Sequence, residues 1–130
     1  MVVPDAALDG VRVLLVDDDP SILRAFSLYL RCSRAHVEKA RDTTEAFSSY
    51  DAQRPDVIVA DCAMPGKTGI EFLQQVRSYE ESAKSRTPAI LISAIYGLGT
   101  AARAAGFDCY LTKPLEPDLL VSEIARLAKK

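Results

Sequence analysis

Five short apolar segments recur along the chain, each followed by a stretch of different periodicity. They occupy residues 11–16, 35–40, 56–60, 88–93 and 108–112. Segments of this length that are rich in Val and Ile and lack polar alternation are typical of strands buried on both faces. The second segment contains His36, Glu38 and Lys39 and is the most polar, which indicates the edge of a sheet.

The intervening stretches predict four clear helices and a weaker one. Apolar side chains recur at helical spacing in residues 20–31, 43–52, 69–79 and 116–129. Asp19 followed by Pro20 marks the start of the first helix, because a carboxylate caps free amides and proline suits the first helical position. Gly97 and Gly99 weaken the fourth helix by about 1 kcal/mol each relative to Ala. We expect that helix to be short and to begin near Thr100.

Strand and helix alternate five times, which predicts a doubly wound α/β fold. Its parallel sheet would lie between two layers of helices, with right-handed crossovers. In such sheets, ligands bind beyond the carboxyl ends of the strands, where the strand order reverses. The residues that follow the strands are therefore the first place to look for chemistry.

Composition fits one soluble domain of 130 residues, with 48% hydrophobic and 26% charged residues. We assign residues 1–10 to an N-terminal extension and residues 11–130 to the domain. The net charge of −2 argues against sequence-independent attraction to nucleic acid. No apolar run approaches the roughly 20 residues that span a bilayer, and the chain does not begin like a signal peptide, so we expect it in the cytoplasm.

Polar groups follow four of the five predicted strands. They are Asp17, Asp18, Asp19, Asp61, Ser93 and Lys113. Singly, each has an ordinary structural explanation: a helix cap for Asp19, and a turn residue, a strand-end hydroxyl or a surface charge for the others. If these strands are neighbours, however, the groups converge at one edge of the sheet, and chance is a poor account of the combination.

The combination also has a chemical logic. Crowded carboxylates raise each other's pKa unless a cation binds, and ligands that are all oxygens favour Mg²⁺. A carboxylate such as Asp61 can act as a nucleophile towards phosphorus. Phosphoryl transfer needs in-line positioning and neutralisation of charge, which Lys113 and a metal ion provide, while Ser93 adds a hydrogen-bond donor.

Four motifs follow predicted strands in order: VLLVDDDP, PDVIVADCAMPGKTG, PAILISA and AGFDCYLTKPL. With these motifs the chain resembles, from about Val11 to Ala128, the receiver domain of bacterial response regulators, the family of the chemotaxis regulator that controls the flagellar switch. The resemblance implies a flavodoxin-like (βα)5 fold with strand order 2-1-3-4-5. It also implies a role in two-component phosphorelay signalling, with a sensor histidine kinase or histidine phosphotransfer protein as phosphodonor and a further protein as output partner.

The resemblance assigns the metal-binding positions. Asp61 matches the aspartate that becomes an aspartyl phosphate, and Asp17 and Asp18 match the acidic pair that binds Mg²⁺ with it. Ala63 matches the position whose backbone carbonyl is a further metal ligand.

The resemblance also assigns the positions that read the phosphoryl group. Ser93 and Lys113 match the hydroxyl and the lysine that contact it, and a cis peptide is expected between Lys113 and Pro114. Ser93 and Tyr110 match the two switch positions. Such a protein catalyses only its own phosphorylation and dephosphorylation.

Some features depart from the family pattern and keep alternatives open. The stretch 93–113 is about two residues shorter than usual, and Lys67 and Thr68 alter the loop after Asp61. A pseudo-receiver that serves only as an interaction module is therefore one alternative. A Mg²⁺-dependent phosphohydrolase is another, although no DxD motif follows the third strand. The sequences of these motifs most resemble receivers of hybrid sensor kinases. The chain is either a stand-alone regulator or part of a longer protein.

Overall fold

The computed structural model describes residues 6–64 and 66–128, in which five strands alternate with five helices. The elements are β1 (Arg12–Val16), α1 (Pro20–Cys32), β2 (His36–Ala40), α2 (Thr43–Gln53), β3 (Val57–Asp61), α3 (Gly69–Ala83), β4 (Ala89–Ser93), α4 (Gly99–Ala105), β5 (Cys109–Thr112) and α5 (Pro117–Ala128). All strand pairs are parallel, and the order is β2-β1-β3-β4-β5. The predicted fold class and strand order are confirmed, with the polar β2 at an edge.

Helices cover both faces of the sheet and enclose two apolar layers. On one side α2, α3 and α4 cover the sheet, and their side chains such as Tyr50 and Phe72 are buried against it. On the other side α1 and α5 pack over side chains such as Leu23 and Leu120. Leu8 joins this second layer with 0% exposure, so the part of the N-terminal extension that is described lies against the domain.

The helix boundaries agree with the predictions except in α3. Asp19 caps α1 by accepting a hydrogen bond from the Ser21 amide at 2.9 Å, and α4 begins at Gly99 and is only seven residues long. Helix α3 continues to Ala83, four residues beyond the predicted end. The predicted extension of the last helix to residue 129 and residues 1–5 of the N-terminal extension lie outside the described residues. In the part of the chain described, no helix is both long and apolar enough to cross a membrane.

A close backbone approach fixes the start of α3 against the end of β3. A Cβ atom at Gly69 would lie 2.2 Å from the main-chain oxygen of Asp61. The Gly69 amide donates to the Cys62 carbonyl at 3.0 Å, and Thr68 and Glu71 form a capping box that starts the helix just there. The absence of a side chain at residue 69 therefore sets the position of the Asp61 backbone.

A buried polar network holds the opposite end of the domain together. Glu80 is 2% exposed and accepts hydrogen bonds from the Tyr50 hydroxyl and the Thr87 amide, both at 2.8 Å. Its other oxygen pairs with Arg77 Nη1 at 2.5 Å. The same guanidinium donates to the Gly106 carbonyl at 2.7 Å. Arg77 thus fastens the turn after α4 to α3.

Replacing Gly69 with Ala should destabilise the fold, because the added methyl group collides with the Asp61 backbone. We expect a loss of about 1–3 kcal/mol in the free energy of unfolding, measured by urea denaturation. Gly99→Ala is the matched control, since the nearest atom to its new Cβ is 3.9 Å away. That variant should gain roughly 0.4–1 kcal/mol. Equal effects at the two sites would contradict the interpretation.

Replacing Arg77 with Met should be more damaging, because it leaves the Glu80 carboxylate buried without its cation. We expect a loss of about 3–5 kcal/mol in the same denaturation assay. Arg126→Met removes an exposed cation that pairs with the half-buried Glu123 at the surface and should change stability little. A small effect at residue 77 would show that the network does not hold the domain together.

Candidate functional site

Three carboxylates meet at the carboxyl ends of β1 and β3. Oxygen atoms of Asp17, Asp18 and Asp61 all lie within 4.8 Å of one another. The register explains this, because Val16 pairs with Ala60 and the next residue of each chain segment is an aspartate. Asp17 and Asp61 are 4% and 6% exposed, whereas Asp18 is exposed. The sequence prediction that these side chains converge is confirmed.

Local hydrogen bonds fix the orientation of Asp17. Its Oδ1 accepts a hydrogen bond from the Asp19 amide at 2.9 Å, and its own amide donates to the Ala40 carbonyl at 3.1 Å. Since Asp19 also caps α1, the start of that helix holds both residues. The carboxylate is therefore set by β1, β2 and α1 together.

One ammonium group faces these carboxylates. Lys113 Nζ lies 3.2 Å from Asp61 Oδ1 and 3.8 Å from Asp17 Oδ2. The Lys113 amide donates to the Ser93 carbonyl at 2.9 Å, and a cis peptide joins Lys113 to Pro114, as expected. With three carboxylates and one lysine, the group carries excess negative charge when ionised.

Burial makes the ionisation of Asp17 and Asp61 less favourable. Desolvation is the main cause that raises the pKa of Asp17 and of Asp61, and neighbouring carboxylates add to the effect. Lys113 lowers the pKa of both but does not offset the burial. A hard cation held by carboxylate oxygens would relieve the repulsion, so the donor set fits a divalent ion. Ala63 lies exposed in the segment after β3. The role of its backbone carbonyl as a metal ligand stays a prediction.

The two predicted switch residues are joined through one backbone position. Ser93 is 1% exposed, and its Oγ accepts a hydrogen bond from the Ile95 amide at 2.9 Å. The Tyr110 hydroxyl donates to the Ile95 carbonyl. Ser93 is the last residue of β4, which pairs with β3. The side chains of Ser93 and Tyr110 are thus both bonded to the loop before α4. No sequence pattern predicts this shared link, because Ile95 takes part in it through main-chain atoms only.

Two further polar residues have contacts of their own. His36 is on the edge strand β2, where it contacts Glu38 at 3.3 Å. Lys67 in the loop after β3 contacts Gln75 at 3.4 Å. The sequence predicts no role for Gly69, whose local signal is its place after the capping residue Thr68.

Replacing Asp17 with Asn should stabilise the protein at pH 7 in buffer with EDTA. The pKa of Asp17 is raised above its ordinary value of 3.8, so the stability of the protonated carboxyl is lost as the pH rises through the folded-state pKa. Asn cannot ionise, and its oxygen can still accept from the Asp19 amide. The gain should fade below pH 3.8, as followed by thermal unfolding.

The exposed variant Asp51→Asn is the control and should change stability little at either pH. A loss of stability in Asp17→Asn at pH 7, or a gain of equal size at both pH values, would contradict the desolvation argument.

Comparisons with known proteins agree with this arrangement. A sequence profile of the response regulator receiver domain matches residues 13–125. The receiver domain of the Francisella response regulator 1452 superposes with a TM-score of 0.82 at 30% identity, covering 92% of this chain and 97% of that one. Chemotaxis protein CheY4 of Vibrio cholerae gives a TM-score of 0.83 at 33% identity, covering 90% and 98%.

Curated relatives extend well beyond the matched region. Transcriptional regulatory protein PrrA of Mycobacterium tuberculosis is 33% identical over 128 residues, which cover 97% of this chain and 53% of PrrA. TrcR of the same species is 32% identical over 127 residues, which cover 92% and 46%. The chain thus spans about half the length of these relatives. Because they are named as transcriptional regulators, absence of nucleic-acid contact stays a prediction. The chain itself belongs to the response regulator receiver domain family.

Proposed function

We propose that Asp61 accepts a phosphoryl group from a phosphohistidine and that the modified domain switches the binding of a further protein. The donor would be a sensor histidine kinase or a histidine phosphotransfer protein, with Mg²⁺ as cofactor. The observation that carries the proposal is the buried Asp61 carboxylate, with Lys113 at 3.2 Å and two further carboxylates within 4.8 Å. The cytoplasm remains the predicted location.

In this proposal, Asp61 is the nucleophile. One of its carboxylate oxygens forms a bond to phosphorus while the bond from phosphorus to the imidazole nitrogen breaks, and the nitrogen keeps the electron pair. Asp17, Asp18 and Asp61, with the Ala63 carbonyl, would hold the Mg²⁺. When bound, this ion supplies positive charge to the transferring oxygens.

Lys113 and Ser93 would stabilise the product. The ammonium group already lies beside Asp61 and can pair with a phosphoryl oxygen. Ser93 can offer its hydroxyl hydrogen to the same group, since its oxygen only accepts a bond from Ile95 in this structure. We assign the chain no reaction beyond its own phosphorylation and dephosphorylation.

The switch would act through the loop before α4. Turning Ser93 towards a phosphoryl group breaks its bond to the Ile95 amide, and Tyr110 is bonded to the carbonyl of the same residue. Moving this loop therefore changes both contacts together. A shift between two loop conformations of a few kcal/mol is enough to change partner binding.

Incubation with acetyl phosphate and Mg²⁺ tests the proposal, with intact mass as the measurement. We expect one phosphoryl adduct in the wild type and in the exposed variant Asp51→Asn, and none in Asp61→Asn. Removing Mg²⁺ with EDTA should prevent labelling, and Lys113→Met should reduce it. Absence of an adduct in the wild type would favour the pseudo-receiver alternative, and an adduct in Asp61→Asn would place the acceptor elsewhere.

A further inference from the structure

An apolar cavity lies directly beside the phosphoacceptor group. Its volume is about 190 Å³. The central strands contribute Leu15, Val59 and Ile92 to its lining, and α1 contributes Ile22 and Phe26. The strand side chains are 3%, 0% and 6% exposed, whereas the two from α1 are half-buried. The cavity therefore reaches from the core to the surface beside α1.

This cavity opens to the surface beside α1 and is larger than a single water molecule requires. Protein interiors are close-packed, and voids larger than a water molecule are few in a domain. A cavity of about 150 Å³ lined by Leu, Ile and Phe stays dry and binds benzene. The present cavity has a volume of about 190 Å³, although it is open at one side, and most of its walls are of the same chemical kind, so it has room for a six-membered ring.

The charged residues on one side of the cavity determine which substituent on such a ring can be bound. Asp17, Asp61 and Lys113 also line it, and Lys113 Nζ lies within 3.8 Å of both carboxylates. The two carboxylates outnumber the ammonium group, and the third carboxylate of the cluster, Asp18, lies nearby. Without a bound metal ion, an anionic group would be repelled here, and a neutral group would leave the excess charge uncompensated.

We propose that this cavity binds a small amphiphilic amine, with its apolar ring against the strands and its ammonium group on the carboxylates of Asp17 and Asp61. The ammonium group then takes up the charge that a divalent ion would otherwise neutralise, so the amine and Mg²⁺ exclude each other. If Asp61 is a Mg²⁺-dependent phosphoacceptor, the amine is a negative effector of phosphorylation. The exclusion of Mg²⁺ and this last step rest on the proposed function, whereas the amine site does not.

Benzylamine is the probe, and chemical shifts of the uniformly ¹⁵N-labelled full chain are the readout. We expect a Kd of about 1 mM, with the shifts centred on β1, β3, α1 and the residues around Lys113. Benzyl alcohol has the same shape without the charge, and phenylacetate has the opposite charge. Both should bind at least about tenfold more weakly. Methylamine, which lacks the ring, should also bind at least about tenfold more weakly.

Two variants test the cavity itself. Ile22→Trp places a larger side chain at its surface end and should weaken benzylamine binding at least about tenfold. Leu28→Trp is the matched control on the same helix, because Leu28 is 56% exposed and does not line the cavity. Should Ile22→Trp fail to fold, Phe26→Ala enlarges the cavity instead and should admit 1-naphthylmethylamine, which the wild type excludes.

Competition with Mg²⁺ tests mutual exclusion. Saturating Mg²⁺ should raise the apparent Kd of benzylamine at least about tenfold, and benzylamine should slow labelling by acetyl phosphate. The site would be overturned by equal binding of benzyl alcohol, by shifts that map elsewhere or by unchanged affinity in the cavity variants. Simultaneous binding of amine and Mg²⁺, or no Mg²⁺ binding, would overturn the exclusion. Benzylamine binding to a protein that acetyl phosphate does not label would leave the site standing and the phosphoacceptor function refuted.

Discussion

Negative charge is crowded at the buried ends of β1 and β3, and the surrounding backbone has to hold the carboxylates together. Ionised carboxylates repel one another and lose solvation when buried, so side chains that were free to move would separate. Here the backbone prevents separation. The register of two adjacent strands, the capped start of α1 and the contact of Gly69 with the Asp61 carbonyl each hold one part of the cluster. The same restraint keeps the three carboxylates within 4.8 Å of one another, which is the arrangement that the proposed function requires.

At the opposite end of the domain, the buried charge is paired and stabilises the fold. There the Glu80 carboxylate has its cation and two further hydrogen bonds, so its burial is compensated. Through Arg77 this network holds the turn at the end of α4, while the start of α4 has no side-chain cap and follows Gly97 at φ 86°. The end of the short helix is therefore held by a buried guanidinium, whereas its start lacks a capping side chain and follows the loop that bonds Ser93.

Much of this could be predicted from sequence because the signals are local. Apolar runs and helical spacing define the elements, Asp19 and Pro20 define a helix start, and family motifs supply the strand order. The end of α3 could not be predicted, because Glu80 looks like a surface residue until Tyr50 and Thr87 are brought to it by the fold. Gly69 and the apolar cavity depend on distances between separate segments, which no periodicity encodes.

Both predicted switch residues are bonded to the backbone of Ile95 and leave its side chain free for other contacts. The bonds from Ser93 and Tyr110 use the amide and carbonyl of this residue, whereas its side chain is 54% exposed. Every amino acid except proline supplies the same two backbone groups. If Ser93 and Tyr110 switch as proposed, a partner would meet the Ile95 side chain, which makes neither of these two bonds. A substitution at residue 95 would then change the surface offered to the partner and leave the bonds to Ser93 and Tyr110 in place.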